Sequence, residues 1–433
     1  LTGVFYQCTC GAKRSMAGAM KKGALNKIGY HCKSTKPWLG ITGDENCNAA
    51  PDDVKVVLRG ATNVWFADTR SSISIPIDDI SVNRKIVGIL NKYFEAVNSS
   101  RNNGELNRDF IYMIAQTEGV NPEDLYQAFV DRANNPGINN DINENISEDE
   151  YRFQEYRVLC KTSGSDAMDF HSISHPIAEY NPVIHKYFES ISLVPKLRET
   201  RAFVGFSRLE PNQKTISESK KELRLGTSED WLPAVEVYGE GIFFKFNSDR
   251  ITRWAQNLAV QKRIDQLNQA YHRSKFGGGT TDNLRPEYIL IHTFAHLIIN
   301  QLSFDCGYGS SSIRERIYCE KTSNDLEMYG VLIYTASGDS EGSLGGLVRQ
   351  GEEGRLEDTI VNAIESASWC TSDPICIQSN GQGPESLNLA ACHNCALLPE
   401  TCCENGNRLL DRAVVVGELT NYEIGYFSDL LNN

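Results

Sequence analysis

The placement of the cysteines constrains this chain more than any other feature of its sequence. Of its 433 residues 13 are cysteines, and most of them lie near one of the two ends. The N-terminal group is Cys8, Cys10, Cys32 and Cys47, and the C-terminal group is Cys370, Cys376, Cys392, Cys395, Cys402 and Cys403. A secreted disulfide scaffold is typically shorter and more evenly cross-linked. In a long chain, clusters with short spacings favour metal sites over disulfides.

The N-terminal group predicts a four-cysteine zinc module. Cys8 and Cys10 are separated by one residue and followed by a glycine, which favours a tight turn that directs both thiolates to one point. Cys32 and Cys47 can complete the tetrahedral sulfur set that Zn²⁺ prefers. Unrelated free thiols are the alternative interpretation, and His31, next to Cys32, is an alternative ligand.

The C-terminal group predicts a second zinc site. Cys392 and Cys395 form a C-x-x-C knuckle, with Cys370 and Cys376 upstream and Cys403 downstream. The group holds more thiols than the four that a closed site needs, so one or two are spare. A redox-active dithiol is the alternative, although a catalytic C-x-x-C typically stands alone at a helix start. Both sites are expected to be structural, since such sites fold short loops that lack a core of their own.

Composition places the chain among globular proteins of about two to four domains. It is 40 % hydrophobic and 23 % charged, which excludes a disordered chain, a collagen and a coiled-coil rod. We expect no membrane contact, because no run approaches the roughly 18–20 apolar residues of a membrane span. The first twenty residues lack the apolar stretch of a signal peptide. The chain begins at Leu1 and enters a cysteine motif almost at once, so we expect a stretch to precede it.

The charge is unevenly distributed around a net value of −13. Residues 1–70 carry ten lysines and arginines against five acidic residues, whereas residues 71–150 carry six against fourteen. The total argues against a protein that coats nucleic acid, but the first segment favours a basic face. The candidate phosphate contacts are Lys21, Lys22, Lys33 and Lys36. An ordinary solvated surface is the alternative interpretation.

Hydrophobic periodicity predicts an α+β protein, because helical and strand-like segments mix without a regular βαβ order. The predicted helices cover 82–98, 106–115, 122–133, 147–160, 249–275, 286–302 and 355–369. The predicted strands cover 200–208, 234–246 and 329–336, and residues 56–76 are β-rich.

We expect a multidomain chain of four segments. These are a zinc-ribbon-like module over 1–76, a mainly helical region over 77–198, strands with a long helix over 199–284, and a mixed α/β zinc-binding domain over 285–433.

A pair of histidines is a candidate for catalysis. His292 and His296 lie four residues apart in the predicted apolar helix, so both imidazoles share one face at a spacing that suits metal ligands. No acidic residue follows His292, as an H-E-x-x-H motif would require. Two core histidines that form hydrogen bonds inside the protein are the alternative.

A charged run could complete such a site. Residues 314–316 (Arg-Glu-Arg) are predicted at a helix start, because the serines at 310–312 offer an N-cap. Together with Asp339 and Glu341 they could line a polar cleft. A metal-dependent nuclease or hydrolase would then use the histidine pair with Glu315 or Asp339. No P-loop motif occurs, so the chain is not itself a P-loop ATPase.

The ordered set of motifs resembles a known family. HTFAHLII, GYGSSSIRERIY, GVLIYTASGDSEGSLGGLV, CTSDPIC and AACHNCALLPETCC resemble the MZB zinc-binding domain at the C-terminus of the mitomycin-repair helicase MrfA. Upstream, CTCGAKRSM, LRGATNVWF, VGFSRL and WLPAVEVYGEGIFF extend the resemblance to the DrmB family of the bacterial DISARM anti-phage system. The resemblance covers nearly the whole chain, and its last segment is identified as MZB-like.

The resemblance implies a non-catalytic subunit of a cytoplasmic bacterial complex. Its partner would be a DrmA-like, SNF2-like DNA translocase, and DNA would be engaged mainly through that heterodimer. The MZB likeness implies zinc ligands at Cys392, Cys395 and Cys403, with Cys376 or Cys370 completing the set. Cys402 has no counterpart in that pattern.

Three functions are therefore open. The first is a two-zinc partner subunit that docks on a translocase and helps to bind or gate DNA. The second is a metal-dependent nuclease or hydrolase that uses the histidine pair, and a third ligand converging on that pair would distinguish it. The third is a stand-alone DNA-binding zinc module, against which the net charge of −13 argues.

Overall fold

One large β-sheet and helices packed on it make up much of the described structure. The computed structural model describes residues 5–15, 18, 21, 23–33, 54, 65–101, 106–134, 148–208, 231–274, 277, 283–309, 311–319, 327–335, 346–418 and 420–431. The chain divides into two compact units, residues 1–71 with 201–235 and residues 72–200 with 236–433. The four-segment division of the sequence stays a prediction.

The strands of the described residues form a small hairpin and a larger sheet. They are β1 (Phe5–Gln7), β2 (Lys13–Ser15), β3 (Trp65–Ile73), β4 (Ser165–Ala167), β5 (Phe170–Pro176), β6 (Phe188–Arg208), β7 (Ala234–Phe246), β8 (Ile313–Tyr318) and β9 (Gly330–Thr335). β1 and β2 form the hairpin, and the larger sheet has the order β4-β5-β6-β7-β9-β8, with β3 paired to β6. β9 is antiparallel to both of its neighbours.

The helices of the described residues lie between these strands and after them. They are α1 (Ile77–Ser99), α2 (Arg108–Glu118), α3 (Pro122–Asn134), α4 (Glu148–Leu159), α5 (Ser248–Ala255), α6 (Leu258–Arg273), α7 (Pro286–Cys306), α8 (Gly346–Gln350), α9 (Leu356–Ala367) and α10 (Ala413–Val416). Antiparallel strand pairs combined with these helices confirm the predicted α+β class.

The core of the larger unit is built around α7. Residues 289–299 of this helix are all buried, because apart from His292, Thr293 and His296 its sequence there is apolar on every side. Phe294 lies among the rings of Phe188, Phe244, Phe246 and Phe427, with centroid distances between 5.3 and 5.6 Å. Each buried aromatic side chain contributes about 1.5–3 kcal/mol through burial. A helix enclosed in this way can hold polar side chains only where they find partners.

A carboxylate on α4 ties that helix to strand β8. Glu155 is fully buried, and its two oxygens accept hydrogen bonds from Arg316 Nε at 2.6 Å and Nη2 at 2.9 Å. The same carboxylate accepts from the Tyr318 hydroxyl at 3.1 Å and from the Ile73 amide at 2.9 Å. Burying a charged pair is favourable only when every partner is satisfied in this way.

The helices predicted over 122–133, 147–160 and 355–369 are confirmed to within two residues. The helix predicted over 82–98 begins earlier, at Ile77, and those predicted over 106–115 and 286–302 end later, at Glu118 and Cys306. The prediction of a single helix over 249–275 is wrong. There the structure has two helices, because Asn257 interrupts the run and caps the second one by accepting from the Ala259 amide at 2.9 Å. An asparagine favours such an N-cap over a helix interior. The strand over 234–246 is confirmed at its predicted bounds. Among the described residues, no helix is long and apolar enough to cross a membrane.

The helix start predicted at residues 310–316 is wrong. Residues 313–318 form strand β8, which pairs with β9. Its residues alternate between two buried surfaces: Ile313 and Ile317 lie in the α7 core, and Tyr318 lies in the core beside α4. Residues 314–316 look like an exposed polar segment in the sequence. They belong to a strand that is buried on both faces, and its charged side chains are paired inside the protein.

We expect Glu155→Ala to lower the free energy of unfolding by about 3–5 kcal/mol, because Arg316 then loses its bidentate partner inside the protein. Chemical denaturation of the full chain measures this change. Arg157→Ala, an exposed position on the same helix, is the matched control and should change stability by no more than about 0.5 kcal/mol. Equal stability of the two variants would show that the buried pair does not hold α4 to β8.

Candidate metal centres

Four cysteines of the C-terminal segment bring their sulfur atoms together. The Sγ atoms of Cys370 and Cys392 are 3.5 Å apart, those of Cys376 and Cys395 are 3.8 Å apart, and those of Cys392 and Cys395 are 3.7 Å apart. All four lie within 4.8 Å of one another. A tetrahedral zinc ion with Zn–S bonds of about 2.3 Å needs sulfurs about 3.8 Å apart. This four-cysteine group therefore fits a zinc ion.

Backbone hydrogen bonds shape the two halves of the four-cysteine group. In the knuckle, the Cys395 amide donates to the Cys392 carbonyl at 3.1 Å, and the Cys392 amide donates to Cys395 Sγ at 3.3 Å. In the other half, Asp373 accepts from the Cys370 amide at 2.9 Å, and the Ser372 amide donates to Cys370 Sγ at 3.4 Å. Amide donors stabilise the thiolate form that a metal requires.

A buried arginine fixes the turn between the first two cysteines. Arg412 Nη2 donates to both carboxylate oxygens of Asp373, at 2.7 and 2.9 Å. Its Nη1 donates to the carbonyl of Ala367, the last residue of α9, at 2.6 Å. This charge-assisted contact, in which one guanidinium nitrogen reaches both carboxylate oxygens, restrains the orientation of the turn.

The pKa values of two neighbouring thiols in the four-cysteine group shift in opposite directions. The hydrogen bond from Cys395 lowers the pKa of Cys376 to about 5. The same contact, together with burial, raises the pKa of Cys395 far above its usual range. Two neighbouring sulfurs thus cannot both ionise readily by themselves. A divalent cation removes the conflict, because it binds both as thiolates.

Cys403 lies outside the four-cysteine group. The structure places it with His292, His296 and Glu315, and the ligating atoms of these four residues lie within 4.8 Å of one another. His292 Nε2 is 3.1 Å from Cys403 Sγ and 3.1 Å from Glu315 Oε1. His296 Nε2 is 3.6 Å from Glu315 Oε2. We call these four residues the mixed-donor group.

Three separate elements supply the mixed-donor group. Both histidines come from α7, where a spacing of four residues places them on one face. Glu315 comes from β8, on the same face as Ile313 and Ile317. Cys403 follows a single 3₁₀ turn over Glu400–Cys402. Glu315 is therefore the third potential ligand that the histidine pair needed, and Cys403 is a fourth.

Hydrogen bonds fix how the side chains of the mixed-donor group face one another. His296 Nδ1 donates to the Ala396 carbonyl at 2.8 Å, which leaves Nε2 free to face Glu315. The Glu404 amide donates to Glu315 Oε1 at 3.1 Å, and the Asn407 amide donates to Cys403 Sγ at 3.2 Å. Three buried atoms of the mixed-donor group have no hydrogen-bond partner among the described residues: His292 Nδ1, His296 Nε2 and Glu315 Oε2.

The electrostatics of the mixed-donor group depend on its burial. The side chains of both histidines and of Glu315 are 0 % exposed. Burial by itself raises the pKa of Glu315, but the two facing imidazoles outweigh it and hold that pKa below its usual range. Burial and the nearby Glu315 raise the pKa of the Cys403 thiol. The carboxylate therefore needs a cationic neighbour at this point.

The N-terminal cysteines are only partly described. Cys8 and Cys10 lie in the turn of the β1–β2 hairpin, where Gly11 has a φ of +84°. A hydrogen bond from the Cys10 amide lowers the pKa of Cys8. Cys32 is exposed, and Cys47 lies outside the described residues. The hairpin supplies the tight turn that the sequence indicates, and the four-cysteine module stays a prediction.

The candidate DNA contacts are also only partly described. Lys21 and Lys33 are exposed, whereas Lys22 and Lys36 lie outside the described residues, as does Asp339. The family resemblance grouped Cys403 with Cys392 and Cys395 and left Cys402 spare, whereas the structure places Cys403 in the mixed-donor group and both Cys370 and Cys376 with the knuckle. The alternation of buried residues in β8 was the signal that could have directed Glu315 towards α7.

Comparison with known proteins supports a zinc-binding C-terminal region. Residues 294–396 match the family described as the MrfA Zn-binding domain, and residues 1–66 match a domain of unknown function, DUF8724. The first of these ranges contains the whole four-cysteine group. Over its full length, the chain is 34 % identical to the DISARM protein DrmB of Bacillus paralicheniformis (strain ATCC 9945a / NCIMB 11709 / CD-2), across 450 aligned residues that cover 75 % of that protein.

We expect Cys392→Ala/Cys395→Ala to remove one zinc ion per chain, because two remaining thiolates cannot close a tetrahedral site. Elemental mass spectrometry of the purified full chain measures the zinc content. Cys306→Ser is the matched control, since this partly exposed cysteine at the end of α7 belongs to neither donor group. A double variant that keeps the zinc content of the unmodified chain would contradict the assignment.

Proposed function

The chain belongs to the DrmB family of DISARM proteins, and from that membership we propose that it is a non-catalytic, zinc-binding subunit of a DNA translocase complex in anti-phage defence. In this proposal it docks on a SNF2-like, DrmA-like partner, which supplies the ATPase activity. The chain itself helps to bind or gate the DNA. Its place of action is the bacterial cytoplasm, where such a complex meets phage DNA.

The alignment with DrmB over the entire chain carries this proposal. The closed character of the donor groups supports a non-catalytic role. A catalytic zinc site keeps one coordination position open for water or substrate. The four-cysteine group has four protein donors, and the mixed-donor group has four as well.

Burial argues against the alternative of a metal-dependent nuclease or hydrolase. That alternative needs His292, His296 and Glu315 to meet, and they do meet. However, all three side chains are 0 % exposed, so a phosphodiester cannot approach them in this structure. A hydrolytic metal acts on a substrate oxygen or on a bound water that reaches the substrate. The burial favours a structural role for these side chains.

The acidic segment over 71–150 supports a protein partner in the proposal. Its described part includes α1, α2 and α3, which pack on one another through their own apolar residues. Exposed carboxylates such as Asp109, Glu123 and Asp124 lie on the first turns of α2 and α3. An acidic surface favours and steers contact with a basic partner surface. We propose that the translocase supplies that surface.

The basic first segment supports a contact with DNA in the proposal. Lys13 and Arg14 on β2 are exposed, as are Lys21 and Lys33. Lysines that neutralise phosphates release counterions, which makes binding sensitive to salt and indifferent to sequence. We propose one zinc ion in this module and one in the four-cysteine group.

We expect Lys21→Glu/Lys33→Glu to weaken DNA binding by the complex of this chain with its translocase partner. The loss should be similar for duplexes of unrelated sequence, because phosphate contacts carry no base information. The salt dependence, as the slope of log K against log salt, should fall by about two, one for each lost contact. Fluorescence anisotropy on the co-purified complex at several salt concentrations measures both effects.

Lys262→Glu on α6 is the matched control, since Lys262 is an exposed lysine outside the basic segment. It should leave the affinity and the salt slope unchanged. Failure of the two chains to co-purify would contradict docking, and unchanged affinity of the double variant would contradict the DNA contact. DNA cleavage by the chain alone with added Zn²⁺, Mn²⁺ or Mg²⁺ would favour the hydrolase.

A further inference from the structure

We propose that the mixed-donor group binds one Zn²⁺ ion as a closed structural centre, separate from the four-cysteine site. The centre would join α7, β8 and the segment that begins at Cys403. It does not depend on the translocase or on the DNA contact. The match to the MrfA Zn-binding domain covers residues 294–396, so two of the proposed ligands, His292 and Cys403, lie outside that range.

The distances suit a shared metal ion. Tetrahedral zinc with bonds of about 2.0–2.3 Å to nitrogen, oxygen and sulfur places its ligand atoms about 3.2–3.8 Å apart. The measured separations from His292 Nε2 are 3.1 Å to Cys403 Sγ and 3.1 Å to Glu315 Oε1. His296 Nε2 lies 3.6 Å from Glu315 Oε2. Small outward shifts of rotatable side chains are enough to admit the ion.

The arrangement of lone pairs needs a proton or a metal ion between His296 and Glu315. Because His296 Nδ1 donates to the Ala396 carbonyl, a neutral His296 presents only a lone pair at Nε2. That lone pair faces a carboxylate oxygen of Glu315, and neither atom has a hydrogen-bond partner. Two acceptors that face each other in a dry interior are destabilising unless a proton or a metal lies between them. A metal satisfies both atoms, and also the sulfur of Cys403.

The hydrogen bonds that the donor side chains make with the surrounding backbone are those of metal ligands. A histidine that binds zinc through one nitrogen typically donates its other N–H to a carbonyl or carboxylate. His296 does so with Ala396, the residue that follows Cys395 of the four-cysteine group. Cys403 Sγ accepts from the Asn407 amide, and Glu315 Oε1 accepts from the Glu404 amide. These donors orient the thiolate and the carboxylate before the ion arrives.

The donor types select the metal class. Two imidazoles and a thiolate bind zinc and its transition-metal neighbours, whereas Mg²⁺ and Ca²⁺ prefer oxygen ligands alone. Four protein donors in a buried site leave no position for water, which is the pattern of structural zinc. The centre therefore acts as a cross-link within the fold.

The cross-link would hold the edge of the large sheet. β8 is the last strand in the sheet order. The side chain of Glu404, the residue after Cys403, contacts the backbone of this strand. A Glu404 carboxylate oxygen accepts from the Ile317 amide at 3.2 Å, and the carboxylate forms an ion pair with Arg152 of α4 at 2.9 Å. A metal that fixes Cys403 would thereby fix the residue that covers the edge strand.

The test is the metal content of the full chain, purified without chelator and measured by elemental mass spectrometry. Cys403→Ala should bind one zinc ion fewer than the unmodified chain, and His296→Ala should show the same loss. Cys402→Ser is the matched control, because this neighbouring buried cysteine belongs to neither donor group. It should keep the zinc content of the unmodified chain.

A second measurement tests the zinc centre on the unmodified chain, so it does not depend on whether these variants fold. Zinc K-edge absorption spectra of the unmodified chain should show the outer-shell scattering of imidazole, which a site of four cysteines cannot give. The signal should disappear in any folded variant that lacks both histidines. Absence of imidazole scattering in the unmodified chain would overturn the proposal. So would a folded Cys403→Ala variant with undiminished zinc.

Discussion

The meeting of α7, β8 and the Cys403 segment at one buried polar point is the constraint on which the larger unit depends. α7 is enclosed by apolar side chains, yet it carries two imidazoles that are 0 % exposed. Such groups are costly to bury unless they are satisfied. Their partners come from a sheet edge and from a loop far along the chain, so one polar cluster fixes the positions of three elements. The register of β8 follows, because a shift by one residue would turn Glu315 away from α7.

The C-terminal segment depends on polar anchors more than on regular structure. After α9, the described helices are single turns or α10, which has four residues, although many of the segment's residues are buried. Side chains add partners for its backbone: Asn388 accepts from the Leu410 amide at 3.0 Å and donates to the Asn407 carbonyl at 2.7 Å. Arg263 of α6 donates to both oxygens of the buried Asp411, at 2.5 and 2.8 Å. A segment with so few ladder hydrogen bonds needs cross-links of this kind.

The sequence predicted most of the elements, because apolar spacing is a local property. The strand over 234–246 and the helix that begins at Pro286 both follow from it. The sequence could not predict that Cys403 lies apart from the four-cysteine group. The partners of a cysteine depend on the direction in which its side chain points after folding. The same limit applies to Glu315, which was predicted at a helix start and lies on a strand. The histidine spacing was visible, but the burial that distinguishes a structural group from a catalytic one appears only in three dimensions.

Hydrogen–deuterium exchange of the full chain, before and after treatment with a strong metal chelator, tests most directly whether metal ligation holds the C-terminal segment in place. We expect the amides of residues 370–412 and of β8 to exchange much faster after metal removal, because the segments that carry the donor groups then lose their cross-links and open locally. The helices α1–α3 should keep their protection, since they pack through a separate apolar cluster. Unchanged exchange across residues 370–412 after complete metal loss would contradict this account.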